Sequence, residues 1–232
     1  MMTDLYQFTE EPIIAILGIG NDSKKYIDEI QNWGVPLVSA KMLDGDFTGP
    51  KPGICVAILI ITENVDATIL AKNLKQSGIL TLIVATYEIR AMEGSYDSMA
   101  MVSADNVMET VRTVAEILTN PPKYPCIDIY SDIHYIFKDS GTLQAFSLKS
   151  YFEKGESASF ITPLREKLNA LPSLKKLLVI FNFSNAEFLG AKEIKDMLDF
   201  FSTLQIPVVW GMHANENLAS DELAIMAIAK ES

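Results

Sequence analysis

The sequence predicts an α/β protein: a doubly wound, Rossmann-like parallel sheet in the first half, followed by an α+β unit. Two observations lead to this fold class. Up to residue 85, strand and helix patterns alternate, and the strands are continuous apolar runs, as is typical of a parallel sheet covered on both faces. After about residue 125, strands and helices follow one another in a less regular order. With 232 residues, 49% of them hydrophobic, the chain is long enough to bury a sizeable core.

The first half is predicted to contain four strands and three helices. The strands are expected at 13–19, 36–40, 54–62 and 80–85. The helices are expected at 23–33, 65–77 and 103–119, the first two ended by glycines. Ser103 is the predicted cap of the third helix. The stretch 90–101 breaks the alternation, and we expect a loop there.

The second half is predicted to contain two helices and three strands. The helices are expected at 161–171 and 187–204, and the strands at 177–183, 206–211 and 222–229.

The formal net charge of −11 argues against nucleic acid as a partner, because such a chain repels phosphate backbones. We see no basic, apolar leader and no membrane-spanning run, so we expect a cytoplasmic protein without membrane insertion.

The stretch "AILGIGNDSKK" begins like a phosphate-binding loop, because a strand, two glycines and a helix start follow one another. Gly18 and Gly20 are the candidate cradle, but no further glycine follows them. Asp22 places a carboxylate where a phosphate would lie and competes for the same N–H donors. A tight structural turn is therefore the favoured interpretation, and phosphate binding the alternative.

The next strand–helix junction, "TENVDAT", contains no glycine and carries Glu63 and Asp66. Two carboxylates and a stiff backbone predict a poor triphosphate site. Elsewhere, Asp128, Asp132 and His134 are the remaining cluster of candidate ligands, but a metal site needs three or four converging groups. His213 is expected in a surface turn. We therefore expect no metal site and no catalytic constellation.

Several segments resemble the FtsZ family of bacterial tubulin homologues. The stretch "VVWGMHANENLASDELAIMAIA" is similar to the closing segment of that family, and "LLVIFNFSNAEFLGAKEIKDMLDFF" to the strand, turn and helix before it. The stretch "NVMETVRTVAEILTNP" resembles the central helix that joins the family's two domains, and "SDIHYIFKDSGT" its synergy loop. The resemblance implies domains at 1–120, including the central helix 103–119, and at 121–232.

The departures from the family pattern are systematic. The family's glycine-threonine loop is absent around Glu63. The resemblance places Asp132 on the second of two synergy-loop acids and Ile129 on the first, with Asp128 one residue out of register. Asp105 falls where the family's central helix meets the base. Together with Gly18 and Gly20, it is a weak remnant of a nucleotide site.

We therefore expect an FtsZ-like cell-division or cytoskeletal protein that has lost GTPase activity, uses no cofactor and acts through protein contacts. Its partner would be FtsZ or another division protein, and it could cap filaments or associate with itself. The alternative is a filament-forming GTPase that binds GTP at an atypical site. An unrelated small-molecule enzyme is a third class, which no constellation supports. No catalytic residue is expected, Asp132 being the one synergy-loop acid in register.

Overall fold

The computed structural model describes residues 13–35, 37–43, 53–87, 89, 94–120, 129–138, 141–151, 156–184, 190–215, 217–219 and 221–231. Five strands form a wholly parallel first sheet in the order β2-β1-β3-β4-β5. They are β1 (Ile14–Ile19), β2 (Val38–Met42), β3 (Val56–Ile61), β4 (Leu80–Ala85) and β5 (Ser98–Met101). Because the chain winds in opposite directions from β1 to β2 and from β3 to β5, the predicted doubly wound sheet is confirmed.

Two helices cover opposite faces of the first sheet. They are α1 (Lys24–Gln31) and α2 (Thr68–Gln76), each shorter than predicted. Successive side chains of a strand point to opposite faces, so Ile58 of β3 belongs to the same apolar cluster as Ile27 of α1. Leu59, its neighbour in the chain, belongs with α2 to a second cluster. This two-sided burial explains why the central strands are apolar throughout.

The helix α3 (Val107–Thr119) lies between the first sheet and a second one. Its buried side chains share one apolar cluster with Leu82 of the first sheet and Leu178 of the second. The predicted central helix is therefore present, but its cap differs from the prediction. A 3-10 turn, Ala104–Asn106, precedes it, and Ser103 makes no side-chain capping hydrogen bond there.

The second sheet has the order β6-β9-β7-β8, in which β7 and β8 are parallel and the other pairs antiparallel. Its strands are β6 (Leu143–Tyr151), β7 (Leu174–Phe183), β8 (Val208–Ala214) and β9 (Glu222–Glu231). Two further helices, α5 (Ala158–Asn169) and α6 (Ala191–Thr203), cover the face turned away from α3. A π-helical turn, Ile129–Ile133, leads into the short helix α4 (His134–Phe137).

Two strands were not predicted. The strand β5 lies within 90–101, where the sequence predicted a loop, and β6 follows Gly141, where it predicted no strand. Both are sheet-edge strands, β5 pairing with β4 and β6 with β9. The two edges meet at an isolated bridge between Met99 and Thr142. The two strands therefore owe their conformation to pairing partners rather than to a strongly apolar local sequence.

Candidate functional site

The candidate site is a cavity of about 420 Å³ at the carboxyl edge of the first sheet. It lies beside the ends of β1 and β3, the point where the winding direction changes and where open α/β sheets bind ligands. Tyr26, Ala104 and five polar or charged residues line it, the latter being Asn21, Asp22, Lys25, Thr62 and Thr86.

The two glycines of the turn have different roles. A Cβ added to Gly18 would lie 2.5 Å from Cγ1 of Ile27 and 2.6 Å from Sδ of Met42, so Gly18 lets α1 and β2 approach closely. Gly20 has φ 82° and ψ 159°, a conformation that is accessible almost only to glycine. The predicted structural role of this turn is thus supported by packing at one glycine and by backbone conformation at the other.

The carboxylate of Glu63 lies directly against Gly20. A Cβ added to Gly20 would be 2.1 Å from Oε1 of Glu63 and 2.5 Å from its Cγ. The side chain from the second junction therefore fills the space over the first glycine turn. An acidic group at this position repels anions from the backbone N–H groups of the turn.

The helix α1 begins at the predicted start, directly after Asp22 and Ser23, but the Ser23 side chain makes no capping hydrogen bond. Ser23 is fully buried, and its Oγ lies 2.8 Å from the carbonyl oxygen of Ile19 and 3.0 Å from that of Ile60. Thr62 Oγ1 lies 3.0 Å from Ser23 Oγ. The hydroxyl thus joins the ends of β1 and β3, while Asp22 is exposed beside the cavity and makes no capping hydrogen bond.

The junction between β3 and α2 is held by a hydrogen-bond network of its own. The hydroxyl of Tyr87 donates to the carbonyl oxygen of Glu63, and Thr86 Oγ1 donates to that of Thr62 at 3.3 Å. Asp66 Oδ1 accepts a hydrogen bond from the backbone N–H of Thr68 at 2.9 Å. Hydrogen bonds from the Thr68 side chain and backbone lower the pKa of the Asp66 carboxyl. The first turn of α2 is therefore already occupied by a carboxylate of the same chain.

Asp105 lies in the 3-10 turn before α3, at the same edge as the cavity. Its side chain is exposed, whereas the neighbouring Ala104 lines the cavity and accepts a hydrogen bond from the hydroxyl of Tyr26 at 3.1 Å. The structure thus brings Gly18, Gly20 and the backbone near Asp105 to one edge.

Asp132 lies at the opposite end of the first sheet. It is half-buried in the π-helical turn before α4, and α4 ends beside Ser98, the first residue of β5, whose Oγ donates to the carbonyl oxygen of Phe137 at 2.6 Å. The side chain of Ile129 and all of Asp128 fall outside the described residues. Within one molecule, then, Asp132 and the glycine turn do not meet.

The two histidines lie apart. His134 is exposed at the start of α4. His213 does not lie in a surface turn, as predicted, but half-buried in β8, lining a second cavity of about 580 Å³ between α3 and the second sheet. No three His, Cys, Asp or Glu side chains converge in a metal-binding arrangement among the residues the structure describes.

In that same part of the chain, no helix combines the length and apolarity needed to cross a membrane.

Sequence reasoning missed several residues of the candidate site. No sequence motif includes Thr62, Thr86 or Tyr87. Their hydroxyls lie close together only because β3 and β4 pair in parallel. A signal did exist in the chain: each of these residues directly follows an apolar strand or lies one position later. In a parallel sheet, such positions meet at one edge.

Comparison with known proteins gives the fold. No model of a known protein family matches the sequence, and no curated protein matches it. Among solved structures, FtsZ of M. jannaschii (W319Y mutant) is similar over 95% of this chain and 91% of its own, with 13% identity and a TM-score of 0.69. CetZ from Methanosaeta thermophila is similar over 94% and 86%, with 11% identity and a TM-score of 0.66.

A third similar structure is the GTPγS-bound protofilament of CetZ2 from Haloferax volcanii. The similarity covers 90% of this chain and 70% of that chain, with 12% identity and a TM-score of 0.56. At such identities the likeness concerns the fold. The chain therefore shares the tubulin-like fold of FtsZ and CetZ, as the resemblance of its motifs predicted.

Proposed function

We propose that the chain is an FtsZ-like cytoskeletal protein that has lost GTPase activity and acts by contact with other proteins. The similarity in fold to FtsZ and to a CetZ2 protofilament supports the cytoskeletal part of this proposal. The same similarity makes association with itself or with a filament-forming relative the kind of contact to test first.

One observation carries the proposed loss of activity: the Glu63 carboxylate packs over Gly20. In the proposed ancestral arrangement, a nucleotide phosphate would approach the N–H groups of this turn. Two like unit charges about 4 Å apart repel by about 4 kcal/mol at an effective dielectric constant of about 20. That repulsion alone would remove about half of the binding free energy of a micromolar ligand, which is about 8.2 kcal/mol.

The second junction supports the same conclusion. Helix α2 would offer the other N-terminal donors, but Asp66 already accepts from the N–H of Thr68. Tyr87 further holds the turn through the Glu63 carbonyl. A phosphate would have to displace two carboxylates and break the hydrogen bond to Asp66.

A direct binding test uses thermal shift and isothermal titration with GTP or GDP and magnesium. We expect no shift for the wild-type protein, whereas a ligand at a hundred times its dissociation constant would contribute about 2.7 kcal/mol. The Glu63→Ala variant removes the repelling carboxylate, and Glu29→Ala removes an exposed carboxylate of α1 as a control. We expect nucleotide binding to be restored in Glu63→Ala and not in Glu29→Ala.

The second candidate function is a GTP-binding, filament-forming protein with an atypical site. The observation in its favour is the open cavity at the carboxyl edge, which Lys25 and Asn21 line. A GTP-specific thermal shift in the wild-type protein would establish the nucleotide binding that this candidate requires and would overturn the first candidate.

The proposed mode of contact is filament capping. By the resemblance to the FtsZ family, the edge formed by residues 131–138 (the Asp132 edge) corresponds to the face that the family presents to the next subunit's nucleotide. At the opposite edge, the Glu63 carboxylate lies over the glycine turn. A subunit with one competent face ends a filament. We therefore expect substoichiometric shortening of FtsZ filaments, without faster GTP turnover, in light scattering and sedimentation.

Two exposed tyrosines provide a matched pair of variants for the capping test. Tyr135 lies on the Asp132 edge and is 46% exposed, and Tyr151 ends β6 and is 73% exposed. Shortening should weaken in Tyr135→Ala and persist in Tyr151→Ala. Unchanged filament length up to equimolar wild-type protein would refute capping.

A further inference from the structure

Lys230 is a buried lysine in a strand that is otherwise almost entirely apolar. Only 3% of it is exposed. It lies on β9, near the joint of the two sheets, which is the place where the bridge between Met99 and Thr142 connects their edges. Lysine is almost never fully buried unless its ammonium group is satisfied. The contacts of this ammonium group therefore have to explain its position.

The Lys230 ammonium has an acceptor for each of its three N–H groups. Its Nζ lies 3.0 Å from Ser98 Oγ, 2.7 Å from the carbonyl oxygen of Phe137 and 2.8 Å from that of Lys138. Ser98 belongs to β5 of the first sheet, Phe137 ends α4, and Lys230 belongs to the second sheet. One amine thus contacts three separate parts of the fold.

The same three parts are connected by further hydrogen bonds. Ser98 Oγ donates to the Phe137 carbonyl, which closes a ring of hydrogen bonds with Lys230. Just beyond α4, the N–H of Met99 donates to the carbonyl of Gly141 at 3.1 Å, and that of Glu231 donates to the carbonyl of Thr142 at 2.8 Å. Residues 137–138 and 141–142 are therefore attached to β5 on one side and to β9 on the other.

This attached segment carries an exposed surface. His134 and Tyr135 are exposed on α4, and Lys176 Nζ donates to the Tyr135 carbonyl at 2.8 Å with its amine 4.2 Å from the ring centre. The other side of the segment faces the Lys230 ammonium. The position of the exposed edge is consequently set by the joint between the sheets.

We infer that Lys230 is a positioning residue that couples the exposed edge 131–138 to the relative placement of the two sheets. A partner that binds this edge would contact a segment that is hydrogen-bonded to both sheets. The coupling rests on the hydrogen bonds of this joint and does not depend on the proposed function.

Native-state hydrogen exchange tests the inference in the full chain. The variants are Lys230→Met, which keeps the length of the side chain, and Lys149→Met as a control at an exposed lysine paired with Glu222 on the same sheet. In Lys230→Met we expect amides of 134–138 and 98–101 to exchange at least about tenfold faster, with β3 and β7 unchanged. Lys149→Met should resemble the wild type in all four regions.

Two results would overturn the inference. Unchanged exchange in 134–138 would show that the amine does not hold this segment. Equal acceleration throughout the protein would show that Lys230 contributes only to overall stability. Should Lys230→Met not fold, Ser98→Ala decides, because it removes the hydroxyl from the same ring of hydrogen bonds. We expect a smaller but equally selective acceleration in Ser98→Ala, and its absence would refute the coupling.

Discussion

At the scale of single residues, the contact between Gly20 and Glu63 is the feature of the site that variants test most directly. Alanine at position 20 would adopt a backbone conformation reserved for glycine, at a cost of about 1–3 kcal/mol, and its Cβ would also collide with Glu63. We expect Gly20→Ala to cost less stability in a Glu63→Ala background, by about 0.5–3 kcal/mol, measured by urea denaturation of all four proteins.

Gly78 offers a control for this cycle, since it also has a positive φ, 78°, but open space where its Cβ would lie. Gly78→Ala should therefore show no coupling to Glu63→Ala. Additive effects at Gly20 would mean that the Glu63 carboxylate does not rest on the turn in solution.

At the scale of elements, the start of α2 depends on the charge of Asp66. Because its pKa is lowered in the folded protein, the ionised carboxylate stabilises the fold above the unfolded-state pKa of 3.8. This stabilisation is lost as the pH falls through the lower, folded-state pKa.

The expected result is a lower melting temperature for Asp66→Asn than for wild type at pH 7, with a difference that diminishes as the pH falls below 3.8 and through the lower folded-state pKa. The amide keeps an oxygen acceptor, so the comparison isolates the charge. Asp22→Asn is the control, since Asp22 is exposed and makes no capping hydrogen bond. A difference for Asp66→Asn that grew towards acidic pH would contradict the assigned sign.

At the scale of the whole molecule, α3 links the two sheets into one core. Its buried face packs in a cluster that includes strands of both sheets, so we expect the chain to unfold in a single cooperative transition. The domain boundary after residue 120 stays a prediction about sequence organisation, and this measurement bears on whether its two sides are energetically separate.

The two tryptophans make this measurable, because Trp33 packs against the cluster around α3 and Trp210 against the cluster of the second sheet. In the single-tryptophan variants Trp33→Phe and Trp210→Phe, the fluorescence transitions in urea should coincide. Circular dichroism gives the change in stability that each substitution itself causes. If the fluorescence midpoints of the two variants differ by more than these changes explain, the two sheets unfold as independent units.

Much of the fold was predictable because its signals are local. Strands β1, β3 and β4 are buried on both faces and therefore apolar throughout, and α3 carries its apolar stripe at helical spacing. Strand β5 has four residues and β6 mixes polar and apolar side chains. Their strand conformation depends on partners distant in the chain, so a local pattern did not reveal it.

The candidate site was predictable only in part. Gly18, Gly20, Glu63 and Asp66 were recognised as unusual for a phosphate-binding edge from residue types alone. Ser23 illustrates the limit: beside Asp22 it has the local pattern of a helix cap, yet its hydroxyl joins β1 and β3. Its role depends on a strand that is distant in sequence.

By itself, then, the sequence determined the parallel sheet, the central helix and the lack of further glycines after Gly18 and Gly20. Hydrophobic period and residue type are properties of short segments. Only the tertiary structure decided that Glu63 rests on Gly20, that Asp132 lies at the far end of the sheet from that turn, and that Lys230 reaches β5 and α4. These contacts join residues whose proximity is created by strand pairing and helix packing, and no local pattern encodes them.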